Sequence, residues 1–154
     1  MEQIQVHDLG YLLQHVAAMM HRQADQMLQE RLGIGMSQYK ILQMVQNHPH
    51  VQQKVIAKEL GQTEASISRQ VKLLQANGTL NVRVNPASLR EHITVLTAKG
   101  LRVTNAASDV LAQYYAQLIN QFDSKQRSYF TELLEKLHMT VCSSDRSYTC
   151  DHMV

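Results

Sequence analysis

Tryptophan is absent from this 154-residue chain and phenylalanine occurs twice. Leu, Val, Ile, Ala and Met supply the apolar content instead, which is a helical composition. No apolar run approaches the length needed to cross a bilayer, and the start Met1-Glu2-Gln3-Ile4-Gln5 lacks the basic and then apolar pattern of a signal peptide. A cytoplasmic location is therefore expected. Enzyme signatures are lacking too: no nucleophile stands beside a base in an ordered motif, and there is no glycine-rich phosphate loop or HExxH-like pair. Catalysis is not expected, and no catalytic residue, metal site or cofactor is assigned. At this length the chain is one domain-sized unit, able to bury a core but without room for a separate catalytic domain.

Cysteine is scarce. Cys142 and Cys150 both fall in the last thirteen residues, with His138 before and His152 after. Thiolates beside imidazoles can hold zinc or copper(I), and two thiols can close as a redox trigger. Neither spacing matches a tight CxxC pair, and a tail with two incidental thiols is the commoner case.

What the chain does contain is concentrated in residues 53–100. Ile56, Ala57 and Leu60 have the spacing that buries one side of a short helix, and Gly61 supplies the residue that leaves it with positive φ. Thr63 is a good N-cap for a second helix, on which Ile67, Val71 and Leu74 recur at i, i+4 and i+7. Its opposite stripe carries Glu64, Ala65, Ser66, Ser68, Arg69 and Lys72. Short side chains at the leading end let a helix approach base edges, and the two cations suit phosphates. Asn77-Gly78, two residues tolerant of the left-handed region, ends this helix. Leu80, Val82 and Val84 then alternate, as do Ile93 and Val95, which predicts a hairpin tipped by Asn85-Pro86, with Arg83 on its first strand and Arg90 near its tip. A further helix starts at Leu96-Thr97-Ala98-Lys99-Gly100. The expected fold is mainly α with a small β-hairpin wing: a winged helix-turn-helix lobe plus a helical dimerisation region from both termini.

Charge follows the same division. Residues 54–102 hold eight Lys and Arg against three Glu, a net +5, while the remainder has seven basic and ten acidic residues, a net −3. A basic middle between acidic ends suits a phosphate-binding lobe carried on a separate assembly module.

Outside the lobe, the apolar positions 9, 12, 13, 16, 17, 20, 24, 27 and 28 have the 3-and-4 spacing of one long amphipathic helix. Leu111, Tyr115, Leu118, Ile119 and Phe122 form a second stripe, Asp123-Ser124 offers a break and cap, and Phe130, Leu133, Leu134 and Leu137 form a third. These segments are expected to interlock with those of a second subunit, the alternative being a helical cap closed within a monomer. The expected organisation is residues 1–34 as N-terminal dimerisation helix, 35–100 as DNA-binding lobe, 101–140 as C-terminal dimerisation helices and 141–154 as a flexible tail.

The runs Ile56-Ala57 to Gly61, Ile67-Ser68-Arg69, Asn77-Gly78 and Leu96-Thr97-Ala98-Lys99-Gly100, with Gln38-Tyr39-Lys40-Ile41-Leu42 upstream, resemble the multiple antibiotic resistance regulator (MarR) family of transcription factors over roughly residues 5–138. The resemblance implies a homodimer with winged-helix lobes, bound to a pseudo-palindromic operator of double-stranded DNA and released by a small phenolic or other amphipathic ligand. The expected function is thus a ligand-responsive repressor. Ser66, Ser68 and Arg69 would meet base edges, Thr63, Glu64 and Ala65 would form the leading end of the recognition helix, Lys72, Ser37 and Gln38 would touch phosphates, and Arg90 would enter the minor groove. A crevice between the terminal helices and the lobe would be lined by Leu12, His15, Val16, Met19, Met20, Tyr39 and Met44, with His21 and Arg22 able to meet an anion. The same residues are equally good core.

Three departures from the family pattern stand out. Ser88 occupies the place of an Asp that steadies the wing arginine, Gly35 that of a helix-capping Thr, and Gln52 that of a capping Ser or Thr. They predict a mobile wing and less well satisfied helix starts at residues 35 and 52. Two other functions stay open: a metal- or redox-sensing regulator that uses the Cys142/Cys150 tail, and a winged-helix module that binds protein instead of DNA.

Overall fold

The first helix, α1 (Val6–Leu32), carries its apolar stripe along 27 residues, yet buries only the C-terminal part of it. Ala24 and Leu28 are fully buried, whereas Leu9, Leu12, Leu13 and Val16 are 44–56% exposed. The structure, a computed structural model, describes residues 6–144 and the side chains of residues 8–88 and 92–141. Along it follow α2 (Met36–Asn47), α3 (Gln53–Glu59), α4 (Glu64–Ala76), β1 (Leu80–Asn85), β2 (Ser88–Leu96), α5 (Ala98–Ile119) and α6 (Ser124–Ser144).

The core gathers at the lobe. Ile41, Leu42 and Val45 of α2, Ile56 and Ala57 of α3, Ile67, Val71 and Leu74 of α4, and Leu80 of β1 are buried together, with Leu28 of α1 and Ala107 and Leu111 of α5 closing over them. The stripes that the spacing predicts on α3 and α4 are the ones that turn inward. α1 runs along α5, and α2 lies under α4, α5 and the hairpin. β1 and β2 pair antiparallel from Leu80↔Leu96 to Val84↔His92, after which the register jumps to Asn85↔Ser88. The hairpin is also sewn to the loop before α3, where Val51 O accepts both the N–H (3.0 Å) and the hydroxyl (2.7 Å) of Thr94.

α5 starts hard against the hairpin. Thr97 caps it by accepting the Gly100 N–H at 2.9 Å, and its N–H reaches Thr79 O at 3.1 Å. A β-carbon on Gly100 would stand 1.9 Å from that same Thr79 oxygen, so only glycine lets the helix approach this closely. From this start the end of α4 is held as well: Lys99 Nζ donates to Asn77 O at 2.5 Å and Thr97 Oγ1 to Gly78 O at 2.7 Å. Of the pair expected to end α4 in the left-handed region, only Gly78 does so (φ 75°). Asn77 stays helical, with φ −83°, and accepts instead from the hydroxyl and N–H of Thr79.

The inner face of α5 is Gly100, Thr104, Ala107, Leu111 and Tyr114; of the stripe expected to meet a second subunit, Leu111 belongs to this face, Leu118 and Ile119 are half-buried, and Tyr115 and Phe122 are exposed. Helix α6 runs to Ser144, so the first residues of the segment expected as tail, 141–144, are helical. Its start is as expected: Asp123 Oδ1 accepts the Gln126 N–H (2.9 Å) while Gln126 Oε1 accepts the Asp123 N–H (3.0 Å). Every described side chain of α6 is exposed, including Tyr129, Phe130, Leu133, Leu134 and Leu137, and among the described residues α6 makes no extensive contact with another element.

Candidate nucleic-acid interface

The candidate interface begins at the turn between α3 and α4. Gly61 takes φ 60°, and the bonds Gln62 N–H to Ala57 O (2.9 Å) and Gly61 N–H to Lys58 O (3.2 Å) close α3 as a Schellman motif. Thr63 then starts α4, its Oγ1 accepting the Ser66 N–H at 3.1 Å. Glu64 in the first turn is favourable at the positive end of the helix dipole.

Because Ile67, Val71 and Leu74 turn inward, Ala65, Arg69 and Lys72 turn outward and are exposed, with Ser66 and Ser68 half-buried on either flank. Arg69 and Lys72 have no ion-pair partner among the described residues and are free to meet anions. Leu73, four residues beyond Arg69, lies on the same outward stripe and is 51% exposed. Its i+4 spacing from Arg69 was the signal that places it there.

Ser37 and Gln38 open α2, beside this turn. Their half-buried side chains are already engaged: Ser37 Oγ accepts from Gln62 Nε2 at 3.3 Å, and Gln38 Oε1 accepts the Gly35 N–H at 3.2 Å. The expectation that Gly35 leaves this helix start poorly satisfied is corrected here. Asp25 of α1 accepts the Met36 N–H at 2.6 Å, so the cap comes from another helix. A β-carbon at residue 35 would meet that carboxylate and the Gln29 amide at 3.0 Å. Gln52 gives α3 no side-chain cap, as expected, and its backbone instead bridges to Ile93 of the hairpin. Asp25, Gln62 and Leu73 are the residues of this surface that motif reasoning does not reach.

In the wing, Arg83 is exposed on β1, and Asn85 Oδ1 accepts the Ala87 N–H at 3.0 Å, which makes the tip the turn that Asn85-Pro86 predicts. Arg90 belongs to the part of β2 that the register jump leaves opposite no residue of β1.

The candidate ligand residues do not form one closed set in the single chain. Leu12, His15 and Val16 are exposed on α1, as are His21 and Arg22, whereas Met19, Met20 and Met44 are half-buried. Tyr39 is core, its hydroxyl 3.0 Å from Ser108 Oγ. Nearby, Tyr114 donates to Gln23 Oε1 at 2.7 Å, and partial burial together with the phenols of Tyr114 and Tyr39 raises the Tyr115 phenol above its ordinary pKa. His138 is exposed on α6, Cys142 is in the last turn of that helix, and Cys150 and His152 lie outside the described residues.

With this geometry in view, comparison with known proteins is informative. The model of the MarR family matches residues 32–91, from the end of α1 into the second strand of the wing. An HTH-type transcriptional repressor of Mycobacterium tuberculosis is 25% identical over 129 residues, which span 84% of this chain and 92% of that protein. MepR, a transcription regulator of the Staphylococcus aureus multidrug efflux pump MepA, superposes with a TM-score of 0.75 at 22% identity, covering 86% of this chain and 97% of that one. A MepR mutant solved bound to an oligodeoxyribonucleotide gives a TM-score of 0.61 at 22% identity over the same shares, 86% and 97%. PcaV, a transcriptional regulator of Streptomyces coelicolor solved with its natural ligand, matches at a TM-score of 0.64 and 18% identity over 89% of this chain and 95% of that one. These superpositions establish the winged-helix fold.

Proposed function

We propose that this chain, whose residues 32–91 match the MarR family of winged helix-turn-helix transcriptional regulators, is a cytoplasmic repressor, a homodimer that places its two lobes on a pseudo-palindromic DNA operator. The observation that carries this reading is the outward stripe of α4. A helix fixed at its start by Thr63 presents Ala65, Arg69 and Lys72 to solvent, with short serines on both flanks. In this reading Arg69, Ser66 and Ser68 meet base edges, while Lys72, Ser37 and Gln38 hold phosphates and fix register. Thr63, Glu64 and Ala65 shape the leading end, and Arg90 reaches the minor groove from the wing tip.

The faces left bare support the dimer. α6 and the first half of α1 expose Leu9, Leu12, Leu13, Val16, Phe130, Leu133, Leu134 and Leu137, a set that two copies would bury against each other. Residues 1–34 and 101–140 then form the assembly module, and 35–100 the lobe. A small amphipathic ligand would enter where α1, α2 and α5 meet in the dimer, between Met19, Met20, Met44 and Tyr39 and the partner's helices, near Leu12, His15 and Val16. That PcaV is solved with a natural ligand supports this part of the reading.

Charge reversal tests it. Arg69→Glu should abolish retention of genomic DNA fragments in a gel shift at low ionic strength, while Arg69→Ala should cost about 1 to 3 kcal/mol and relax one position per half-site. Unchanged retention by Arg69→Glu would count against the assignment of α4 as the recognition helix. Sequencing the fragments that the wild-type protein retains would identify the operator.

A further inference from the structure

The turn between α3 and α4 holds a side chain that the contacts above do not use. Gln62 is half-buried, and its backbone is pinned by the bond from its N–H to Ala57 O. Its amide reaches in two directions. Nε2 donates to Ser37 Oγ on α2, and Oε1 accepts from Ser66 Oγ on α4, each at 3.3 Å. Ser37 and Ser66 are hydroxyls that the DNA-binding reading sets against the duplex, one at a phosphate and one at a base edge, and the inference rests on that reading.

A hydroxyl has one proton to give and two lone pairs to receive with. Ser37 receives from Gln62 and so keeps its proton, and a phosphate oxygen, which can only accept, is the partner that this suits. Ser66 donates its O–H to Gln62 and can offer the groove lone pairs alone. The reversed amide would turn both hydroxyls around and leave Ser37 facing a phosphate with nothing to donate. The observed orientation is therefore the one that fits a phosphate at Ser37.

We propose that Gln62 is a positioning residue that sets the hydrogen-bonding sense of both serines, so that Ser37 donates to a phosphate and Ser66 acts as a pure acceptor in the major groove. Ser66 then favours a base that carries an exocyclic amino group on the strand it faces, adenine or cytosine, over guanine or thymine, which offer carbonyl oxygens there.

The test is to sequence random-core duplexes retained by the full chain and by Gln62→Leu, Gln62→Glu and Ser66→Ala at one low salt concentration, with thermal unfolding of each variant alongside. Wild-type protein should prefer adenine or cytosine on one strand at one position per half-site. Ser66→Ala should flatten that position about fivefold, the scale of one neutral hydrogen bond. Gln62→Leu, of similar volume but with no amide, should flatten the same position to the same degree, because Ser66 then donates or accepts at will. Gln62→Glu still accepts from Ser66 and should keep the preference, while it weakens binding to all sequences because the carboxylate draws the Ser37 proton away from the phosphate. Uniform weakening by Gln62→Leu with the position intact, or a preference for guanine or thymine there, overturns the proposal alone. Wild-type protein that retains no duplex overturns the DNA-binding reading and this inference with it.

Discussion

The lobe and the two chain ends are built on opposite terms. Between α2 and the start of α5 the apolar side chains of each element turn into one shared core, and buried Thr79, Thr94 and Thr104 each donate their hydroxyl to a backbone carbonyl or a side chain. In α6 and the first half of α1, leucines, a valine and aromatics at regular helical spacing meet solvent. A soluble helix with a bare apolar stripe is incomplete by itself. The lobe, with Leu28 of α1 and Ala107 and Leu111 of α5 closing over it, has its core within one chain, whereas α6 and the first half of α1 leave their apolar stripes open.

The strongest way to probe that contrast is to add the same methyl group at two glycines. Gly100→Ala drives a β-carbon into the Thr79 carbonyl and should destabilise the chain by about 3 kcal/mol, at the upper end of what overpacking costs. Gly10→Ala, in exposed α1 where a β-carbon meets nothing within 4 Å, should instead stabilise by about 0.5 to 1 kcal/mol. Urea unfolding reads both, and equal effects would erase the distinction between the regions.

Assembly gives the next largest effect. Leu134→Asp combined with Leu137→Asp should leave a monomer in sedimentation velocity and weaken operator binding on the order of 10²-fold, as two linked sites become independent. A double variant that remains dimeric would show that the bare face of α6 is not what joins the copies. Asp25→Ala is expected to cost about 1 to 2 kcal/mol in thermal unfolding, since the Met36 N–H at the start of α2 loses the carboxylate that receives it. The smallest change is Lys72→Ala, which should leave base preference intact and lower the slope of log affinity against log salt by about 1 per lobe.

How far these features could be read in the residues depends on the sequence distance over which each is decided. Thr63 and Thr97 each accept an N–H three residues further on, and Ile67, Val71 and Leu74 select a face by periodicity alone, so all were legible. Asp25 caps a helix that begins eleven residues later, and Thr94 binds a carbonyl 43 residues earlier. Nothing local announces such partners. On α5, the approach of Gly100 to Thr79 fixes the rotation of the helix and turns Gly100, Thr104 and Tyr114 inward, a face that apolar spacing alone does not announce. At the interface, the outward cations were legible from spacing, whereas the role of Gln62 appears only when the turn brings Ser37 and Ser66 to either side of it.

Lys99 and Thr97, at the start of α5, bond the carbonyls of Asn77 and Gly78 just past the end of α4, while Gln62 links its other end to α2. A rod clamped at both tips cannot pivot inside its mount. In the proposed dimer, a signal arriving through the long helices would then change the distance and angle between two reading heads sooner than it would retune one head. Regulation would be a matter of gauge, matched or mismatched to the helical repeat of the duplex.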